Sequence, residues 1–151
     1  MVAYSFQPMF VDPIRMGLGL IEDMTDVARP KRQTIRATGK KRHARPGEIV
    51  QLYCQMRTPQ CMKIGDGRCT GVAPIVLQLS REPYVEIGKL LEMPKKIIQR
   101  ADALDFFATQ DGFADWAQLR EFWAKHHPRV STFRGVIIFW EPVPPAEGNS
   151  R

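Results

Sequence analysis

Strand-like and helix-like patterns occupy separate parts of this 151-residue chain. Two helical patterns follow one another, whereas runs rich in β-branched and aromatic residues lie on both sides of them, at 2–6, 32–37, 49–56, 61–79, 84–88 and 133–141. Helices that do not alternate with strands are typical of the α+β class. We therefore predict one α+β domain, a small curved sheet or β-barrel with helices packed at one side.

The two helical patterns, 93–110 and 114–127, predict where each helix begins and which side chains face the core. Pro94 suits a first helical position, and Asp115 suits an N-cap. Apolar residues three or four positions apart predict one buried stripe in each helix. The stripes consist of Ile97, Ala101, Leu104 and Ala108 in the first helix and Trp116, Leu119, Phe122 and Trp123 in the second.

The apolar run at 61–79 predicts one or two strands. Asp66–Gly67 indicates a turn or, with Gly65, a bend in a strongly curved sheet, and Pro74 indicates an edge or a bulge. The three cysteines lack the paired spacing of a metal site and are too few for a disulfide framework. We predict that Cys54 and Cys69 are buried apolar residues, and we expect neither a metal nor a cofactor.

Eight basic residues and no acidic residue lie between positions 29 and 45. Within this stretch, 32–37 alternates like a strand, with Arg32, Thr34 and Arg36 on one face and Gln33 and Ile35 on the other. Residues 38–48, punctuated by Gly39 and Pro46–Gly47, are predicted to form a loop, here called the basic loop. The stretch could be a polyelectrolyte that binds nucleic acid, or it could contain part of an active site.

The net charge of +6 and the pI of about 9.5 favour a polyanionic partner, although charge can also serve solubility alone. The first residues lack the basic and apolar regions of a signal peptide, and no apolar run reaches the roughly 20 residues needed to span a bilayer. We therefore expect a soluble cytoplasmic protein without a membrane partner. The oligomeric state is not constrained by these patterns.

Several motifs in order resemble the ASCH domain family: a K-x-x-T-x-R strand, a "PGE" turn into an apolar strand, "DGFADW" before a helix, and a closing "GVIIFWE" strand. The resemblance spans roughly residues 2–141 and implies a PUA-like β-barrel associated with RNA. It divides the chain into one ASCH-like domain at 1–141, with an insertion at 18–28, and a disordered tail at 142–151.

The family signature is Gly-x-Lys-x-x-Glu-x-Arg. Lys31 and Arg36 match it, whereas Arg29 stands at the Gly position and Thr34 at the Glu position. A subgroup with Thr there resembles amidohydrolases that remove the acetyl group from 4-acetylcytidine with the Lys, that Thr and a downstream Glu. By its position in "QDGFADW", Asp111 corresponds to the downstream acid, so the resemblance implies a catalytic set of Lys31, Thr34 and Asp111.

The chemistry of these three residues admits two interpretations. A threonine hydroxyl becomes a nucleophile when a base takes its proton, and a lysine surrounded by Arg29, Arg32 and Arg36 can be such a base. In the alternative interpretation, Thr34 is an ordinary β-branched strand residue, Lys31 is a solvated charge, and Asp111 only shapes the break between two helices.

We expect an RNA- or nucleotide-binding protein with a basic cleft walled by Lys31, Thr34, Arg36 and Asp111. The alternative is a small hydrolase that acts on a modified nucleoside or on RNA. The residues predicted to contact phosphates or bases are Arg32, Arg36, Lys40, Lys41, Arg42, Arg45 and Tyr53. Phe113 and Trp116 offer further aromatic faces, but helical periodicity favours the core for both.

Overall fold

The computed structural model describes residues 2–22, 29–90 and 93–144, and this part of the chain forms seven strands and three α-helices. The strands are β1 Val2–Phe6, β2 Gln33–Arg36, β3 Ile49–Cys54, β4 Met62–Gln78, β5 Tyr84–Ile87, β6 Lys96–Ile98 and β7 Thr132–Pro142. The helices are α1 Val11–Gly17, which follows a 3-10 turn at Pro8–Phe10, α2 Ala101–Gln110 and α3 Trp116–His126. The predicted α+β class is confirmed.

The long strand β4 organises a single mixed sheet. Strand β7 pairs antiparallel with residues 67–78 on one side of β4, while β3 pairs with residues 62–68 on the other side and β5 with residues 75–78. Strand β1 runs parallel to β3, β6 is antiparallel to β5, and β2 is antiparallel to β7. One continuous strand therefore replaces the one or two predicted at 61–79.

Of the predicted curved sheet or β-barrel, the structure has the sheet, which does not close into a barrel. Among the described strands, β1 and β2 lie at free edges of the sheet, and no backbone ladder joins them. The contact between these edges is made by a side chain, because the guanidinium of Arg36 donates to the Ser5 carbonyl across the gap, with an N···O distance of 2.7 Å. Arg36 therefore links the two edges through its side chain, while the backbone of the sheet stays open there.

The glycine and proline residues of β4 mark a register shift and a change of strand partner rather than a turn. Near Gly65 the pairing with β3 shifts register between Leu52 and Tyr53, which bends the sheet there. Pro74 lies after the pairing with β3 ends and before the pairing with β5 begins at Ile75. This is the kind of position that a residue without an N–H can occupy.

The first predicted helix begins eight residues too early. Residues 96–98 form β6 on the free edge of β5, and α2 begins only at Ala101. Ile98 pairs with Val85 and is buried, whereas Ile97 is exposed instead of facing the core in a helical stripe. The unpaired edge of β5 supplies backbone hydrogen bonds, and the two adjacent β-branched residues suit a strand, so Pro94 is not in the helix.

The second helix matches its prediction closely. The Asp115 carboxylate accepts a hydrogen bond from the Gln118 backbone N–H at 2.9 Å, which confirms it as the N-cap. Trp116, Leu119 and Trp123 are buried, as are Cys54 and Cys69. Residues 23–28 of the predicted insertion and 145–151 of the predicted tail lie outside the described residues, and Pro142 ends β7. No helix in the described ranges is long and apolar enough to cross a membrane.

Candidate functional site

Four polar side chains are buried in the described chain, and three of them come from the segment 31–34. Lys31 is 2 % exposed, Gln33 5 % and Thr34 4 %, and the fourth is Asp111 at 5 %. Buried polar groups cost free energy unless they are hydrogen-bonded, so a group of four requires a specific arrangement.

Asp111 is positioned by the C-terminal end of α2. The helix closes in a Schellman motif, in which Phe113 N–H donates to Ala108 C=O and Gly112 N–H donates to Thr109 C=O. Gly112 has a φ of +97°, and a Cβ there would lie 3.1 Å from Cδ of Lys31. The turn therefore needs glycine for two reasons, its backbone conformation and the passage of the lysine side chain.

Lys31 reaches this helix end from the segment just before β2. Its backbone N–H donates to Pro13 C=O at 2.8 Å, and its Nζ donates to the backbone carbonyl of Asp111 at 2.7 Å and to Oδ1 of Asp111 at 3.2 Å. The same Nζ lies 4.7 Å from the centre of the Phe10 ring. A cation at a helix C-terminus is stabilised by the unsatisfied carbonyls and by the helix dipole.

Gln33 completes the contacts of the Asp111 carboxyl group. Its Nε2 donates to the same Oδ1 at 3.2 Å, so this one oxygen receives both side-chain hydrogen bonds. Lys31 and Gln33 are two residues apart and therefore share a face of the extended segment. The strand alternation alone was enough to place Gln33 beside Lys31, but the sequence prediction did not include it in the site.

Thr34 and Arg36 form the neighbouring half of the site. Arg36 Nε donates to Thr34 Oγ1 at 3.0 Å, which agrees with their predicted placement on one face. The guanidinium carbon of Arg36 lies 4.8 Å from the Phe6 ring centre and 5.2 Å from that of Tyr4. Arg36 is thus held by two aromatic rings and by the Ser5 carbonyl, and it keeps the Thr34 hydroxyl in a fixed orientation.

One cavity of about 610 Å³ is lined by all four residues that were predicted to form the walls of a cleft. They are Lys31, Thr34, Arg36 and Asp111. The remaining walls come from the end of β1, the β3–β4 connection, the α2–α3 connection and the end of α3. This volume lies within the range of small-molecule sites, about 300–1,000 Å³. Residues of both β1 and β2, the two edges that do not pair, line the cavity.

Burial changes the proton affinities of the polar pair in opposite directions. Loss of solvent lowers the pKa of Lys31, an effect that the nearby Asp111 carboxylate opposes and Arg36 assists. Loss of solvent raises the pKa of Asp111, against the opposing effects of Lys31, Gln33 and Arg36. Both shifts favour neutral forms, an amine beside a carboxylic acid, and groups with such shifts are common among acid–base catalysts.

The basic residues predicted to bind nucleic acid lie outside this cavity, apart from Arg36. Arg32 points away from it and donates through Nε to the Gly17 carbonyl at 2.7 Å. Tyr53 is half-buried on β3, with Lys63 Nζ 5.9 Å from its ring centre. The exposed residues Lys40, Lys41, Arg42 and Arg45 lie on the basic loop.

The sequence did not predict most of the aromatic and histidine side chains that line the cavity. The rings of Phe10, Phe113 and Phe122 lie with centres 5.4 Å apart, and the imidazole of His126 lies 4.3 Å from Phe122. Phe113 is buried, as predicted, and also lines the cavity. The helical pattern of α3 indicated that Phe122 faces inward. The pattern could not indicate that this face of the helix lines a cavity.

The β3–β4 connection carries the backbone strain of the site. Gln55 and Arg57 adopt positive φ values of 52° and 67°, although neither is glycine. Gln55 N–H donates to Phe6 C=O and Met56 N–H to Ser5 Oγ, which ties the connection to the end of β1. Residues held in the left-handed region are found preferentially at functional sites, and this connection borders the cavity.

The described residues contain no group of three or more His, Cys, Asp or Glu side chains able to hold a metal ion. Comparison with known proteins finds no match: no family model matches the chain, and neither a curated protein nor a solved structure does.

Proposed function

We propose that the chain is a small amidohydrolase that removes the acetyl group from a modified nucleoside of the 4-acetylcytidine type. The proposal is supported above all by one observation, the presence of buried Lys31, Thr34 and Asp111 around a single cavity of about 610 Å³. It also accounts for the resemblance of the K-x-x-T-x-R strand to the ASCH family, to which we propose that the chain belongs.

In the first proposed step, the neutral Lys31 amine takes the proton of the Thr34 hydroxyl while Oγ1 forms a bond to the acetyl carbon. The bond between that carbon and the exocyclic nitrogen then breaks, and the Asp111 carboxylic acid protonates the leaving nitrogen. The products are the free nucleoside and an acetyl ester on Thr34. Lys31 is now an ammonium and Asp111 a carboxylate.

In the second step, the Asp111 carboxylate takes a proton from a water molecule as its oxygen attacks the ester carbon. The ester bond breaks, acetic acid forms, and the Lys31 ammonium returns its proton to Thr34 Oγ1. Both groups regain their neutral forms, so the cycle needs no external proton carrier. The hydrogen bond from Arg36 to Thr34 Oγ1 favours negative charge on that oxygen in both steps.

The test is hydrolysis of 4-acetylcytidine, followed by loss of its acetylated chromophore. We expect turnover by the wild type, a loss of about a thousandfold or more in Thr34→Val, and partial activity in Thr34→Ser, which keeps a hydroxyl. Thr70→Val is the matched control, because Thr70 is an exposed residue of β4 outside the cavity. Absence of wild-type turnover, or full activity in Thr34→Val, would overturn the proposal.

A second candidate function is RNA or nucleotide binding without chemistry. It is favoured by the basic loop, where Lys40 and Lys41 are exposed and have no hydrogen bond or ion pair with any described residue. Titration of fluorescent single-stranded RNA at several salt concentrations tests it. Binding that weakens with salt, together with no turnover of the acetylated nucleoside or of the RNA, would favour this candidate over either hydrolase.

A further inference from the structure

Gln33 is a buried amide with an assigned partner and no place in the reaction proposed above. It is 5 % exposed, does not line the cavity, and donates through Nε2 to Asp111 Oδ1. A strand residue packed toward a helix end is ordinarily apolar, since burying an amide costs free energy that one hydrogen bond only partly offsets. The presence of an amide here points to a role for its hydrogen bond.

The two carboxyl oxygens of Asp111 have different surroundings. Oδ1 accepts from both Lys31 and Gln33, at 3.2 Å each. Oδ2 accepts no hydrogen bond from the described residues, and it is not among the fully buried side-chain atoms that lack a partner. Since Asp111 lines the cavity, Oδ2 is the oxygen that remains accessible there.

We propose that Gln33 is a positioning residue that selects Oδ2 of Asp111 as the oxygen that gives and takes the proton. The inference rests on the proposed amidohydrolase function. A second donor on Oδ1 keeps that oxygen an acceptor, so the acid proton of Asp111 resides on Oδ2 and faces the substrate.

Lys31 alone does not define the orientation of the carboxyl group. Its Nζ makes its shorter hydrogen bond, 2.7 Å, with the backbone carbonyl of Asp111, and that contact is unaffected by rotation of the side chain. The terminal torsion of an aspartate is broad and nearly two-fold, so its two oxygens exchange easily when only one donor holds them. The hydrogen bond from Gln33 removes this freedom and pre-organises the acid.

The test compares Gln33→Leu and Gln33→Glu with the wild type on 4-acetylcytidine, with full pH profiles of kcat and KM. Gln33→Leu fills similar space without a donor. We expect kcat to fall about tenfold to a hundredfold with KM unchanged. Loss of a hydrogen bond that favours the Asp111 carboxylate should also move the pH profile to higher pH.

Gln33→Glu separates positioning from packing, because the introduced carboxyl has the shape of the amide. It can donate to Oδ1 only when protonated, so we expect activity to recover relative to wild type as pH falls. Melting curves at each pH, with the core variant Ile75→Val as a stability-matched control, report whether a variant is folded. Ile75 is buried in β4 and does not line the cavity.

Three outcomes are distinguishable. A folded Gln33→Leu with lower kcat, unchanged KM and a displaced pH profile supports the positioning role. Wild-type kcat and an unmoved profile in folded Gln33→Leu would overturn that role while leaving the amidohydrolase intact, and so would a kcat loss that Ile75→Val reproduces. An inactive wild type would overturn the proposed function, and the positioning role would fall with it.

Discussion

The strand segment 31–36 carries three Lys or Arg residues and the basic loop 38–48 carries four, but the two segments differ in their surroundings. In the strand segment, Lys31 and Arg36 are surrounded by aromatic rings, and each donates to a defined oxygen. In the basic loop, Lys40 and Lys41 are exposed, and Arg42 forms a two-pronged ion pair with Glu48, with both N···O distances at 2.8 Å.

The proposed chemistry therefore depends on burial and not on charge density. Solvent screens the exposed pair of Arg42 and Glu48, so its effect on stability is small. Loss of solvent around Lys31 and Asp111 shifts both pKa values toward neutral forms, which is what an acid–base pair needs. The basic loop has the charge to attract an anion but lacks such an environment.

Hydrogen bonds of His43 nevertheless link the basic loop to β1 and to the end of the strand segment. Its Nε2 lies 2.8 Å from the Ala37 carbonyl and its Nδ1 3.1 Å from the Tyr4 hydroxyl, which itself accepts from Ala44 N–H. This network assigns the proton to Nε2, since the carbonyl can only accept. Tyr4 also packs against Arg36, so the basic loop is anchored to the same strand edge that supports the cavity.

The largest expected effect comes from breaking the buried pair. We expect Lys31→Met to abolish activity and to lower the free energy of unfolding by about 2–5 kcal/mol, because it removes a donor from two buried oxygens, the backbone carbonyl and Oδ1 of Asp111. The double variant Lys31→Met/Asp111→Leu should recover most of that stability but no activity. Urea unfolding checks both, with Lys40→Met as the exposed control. If Lys31→Met does not change the free energy of unfolding, the buried pair contributes little to stability.

A smaller effect on stability is expected at Gly112, in the turn that directly follows Asp111. Gly112→Ala should lower the free energy of unfolding by about 1–3 kcal/mol, because it combines a positive φ with a contact to Lys31. Gly39→Ala in the basic loop is the matched control, since a Cβ there meets nothing within 4 Å. Thermal unfolding of both variants checks this. Equal destabilisation by Gly112→Ala and Gly39→Ala would contradict the expectation that the buried turn is more sensitive than the basic loop.

The basic loop can be tested without disturbing the cavity. We expect Lys40→Ala/Lys41→Ala to leave nucleoside hydrolysis unchanged while weakening any single-stranded RNA binding. The slope of log affinity against log salt should fall by about 0.7 for each phosphate that the variant no longer neutralises. Salt titrations and hydrolysis assays on the same preparation check this. A fall in kcat/KM on the free nucleoside would mean that the basic loop does take part in the site.

The smallest expected effect is the acid response of the exposed ion pair. Hydrogen bonds from Arg42 and from Arg45 N–H lower the pKa of Glu48 from 4.5 to about 2. A lowered pKa in the folded state gives stability that is present above about pH 4.5 and lost as pH falls toward 2. Glu48→Gln should therefore melt below wild type at pH 6, with the difference shrinking by pH 3. A difference in melting temperature that stays the same from pH 6 to pH 3 would show that the charge of Glu48 does not contribute to stability.

Sequence periodicity predicted most elements because those elements are stabilised locally. The strand at 2–6, the N-cap Asp115 and the burial of Leu119 and Trp123 follow from side-chain spacing and capping. The error at residues 93–100 has a non-local cause. A helix-compatible segment became β6 because the free edge of β5, the preceding strand in the chain, offered backbone partners outside the segment itself.

The sequence by itself determined the α+β class and identified Lys31, Thr34, Arg36 and Asp111 as candidates through a motif and a local turn. Only the tertiary structure decided that they meet, across 80 residues between Lys31 and Asp111, and that the basic loop stays outside their cavity. It also added Gln33 and an aromatic wall. The physical reason is that hydrogen-bond distance and burial depend on how α2 docks against the open edge of the sheet, which no local pattern specifies.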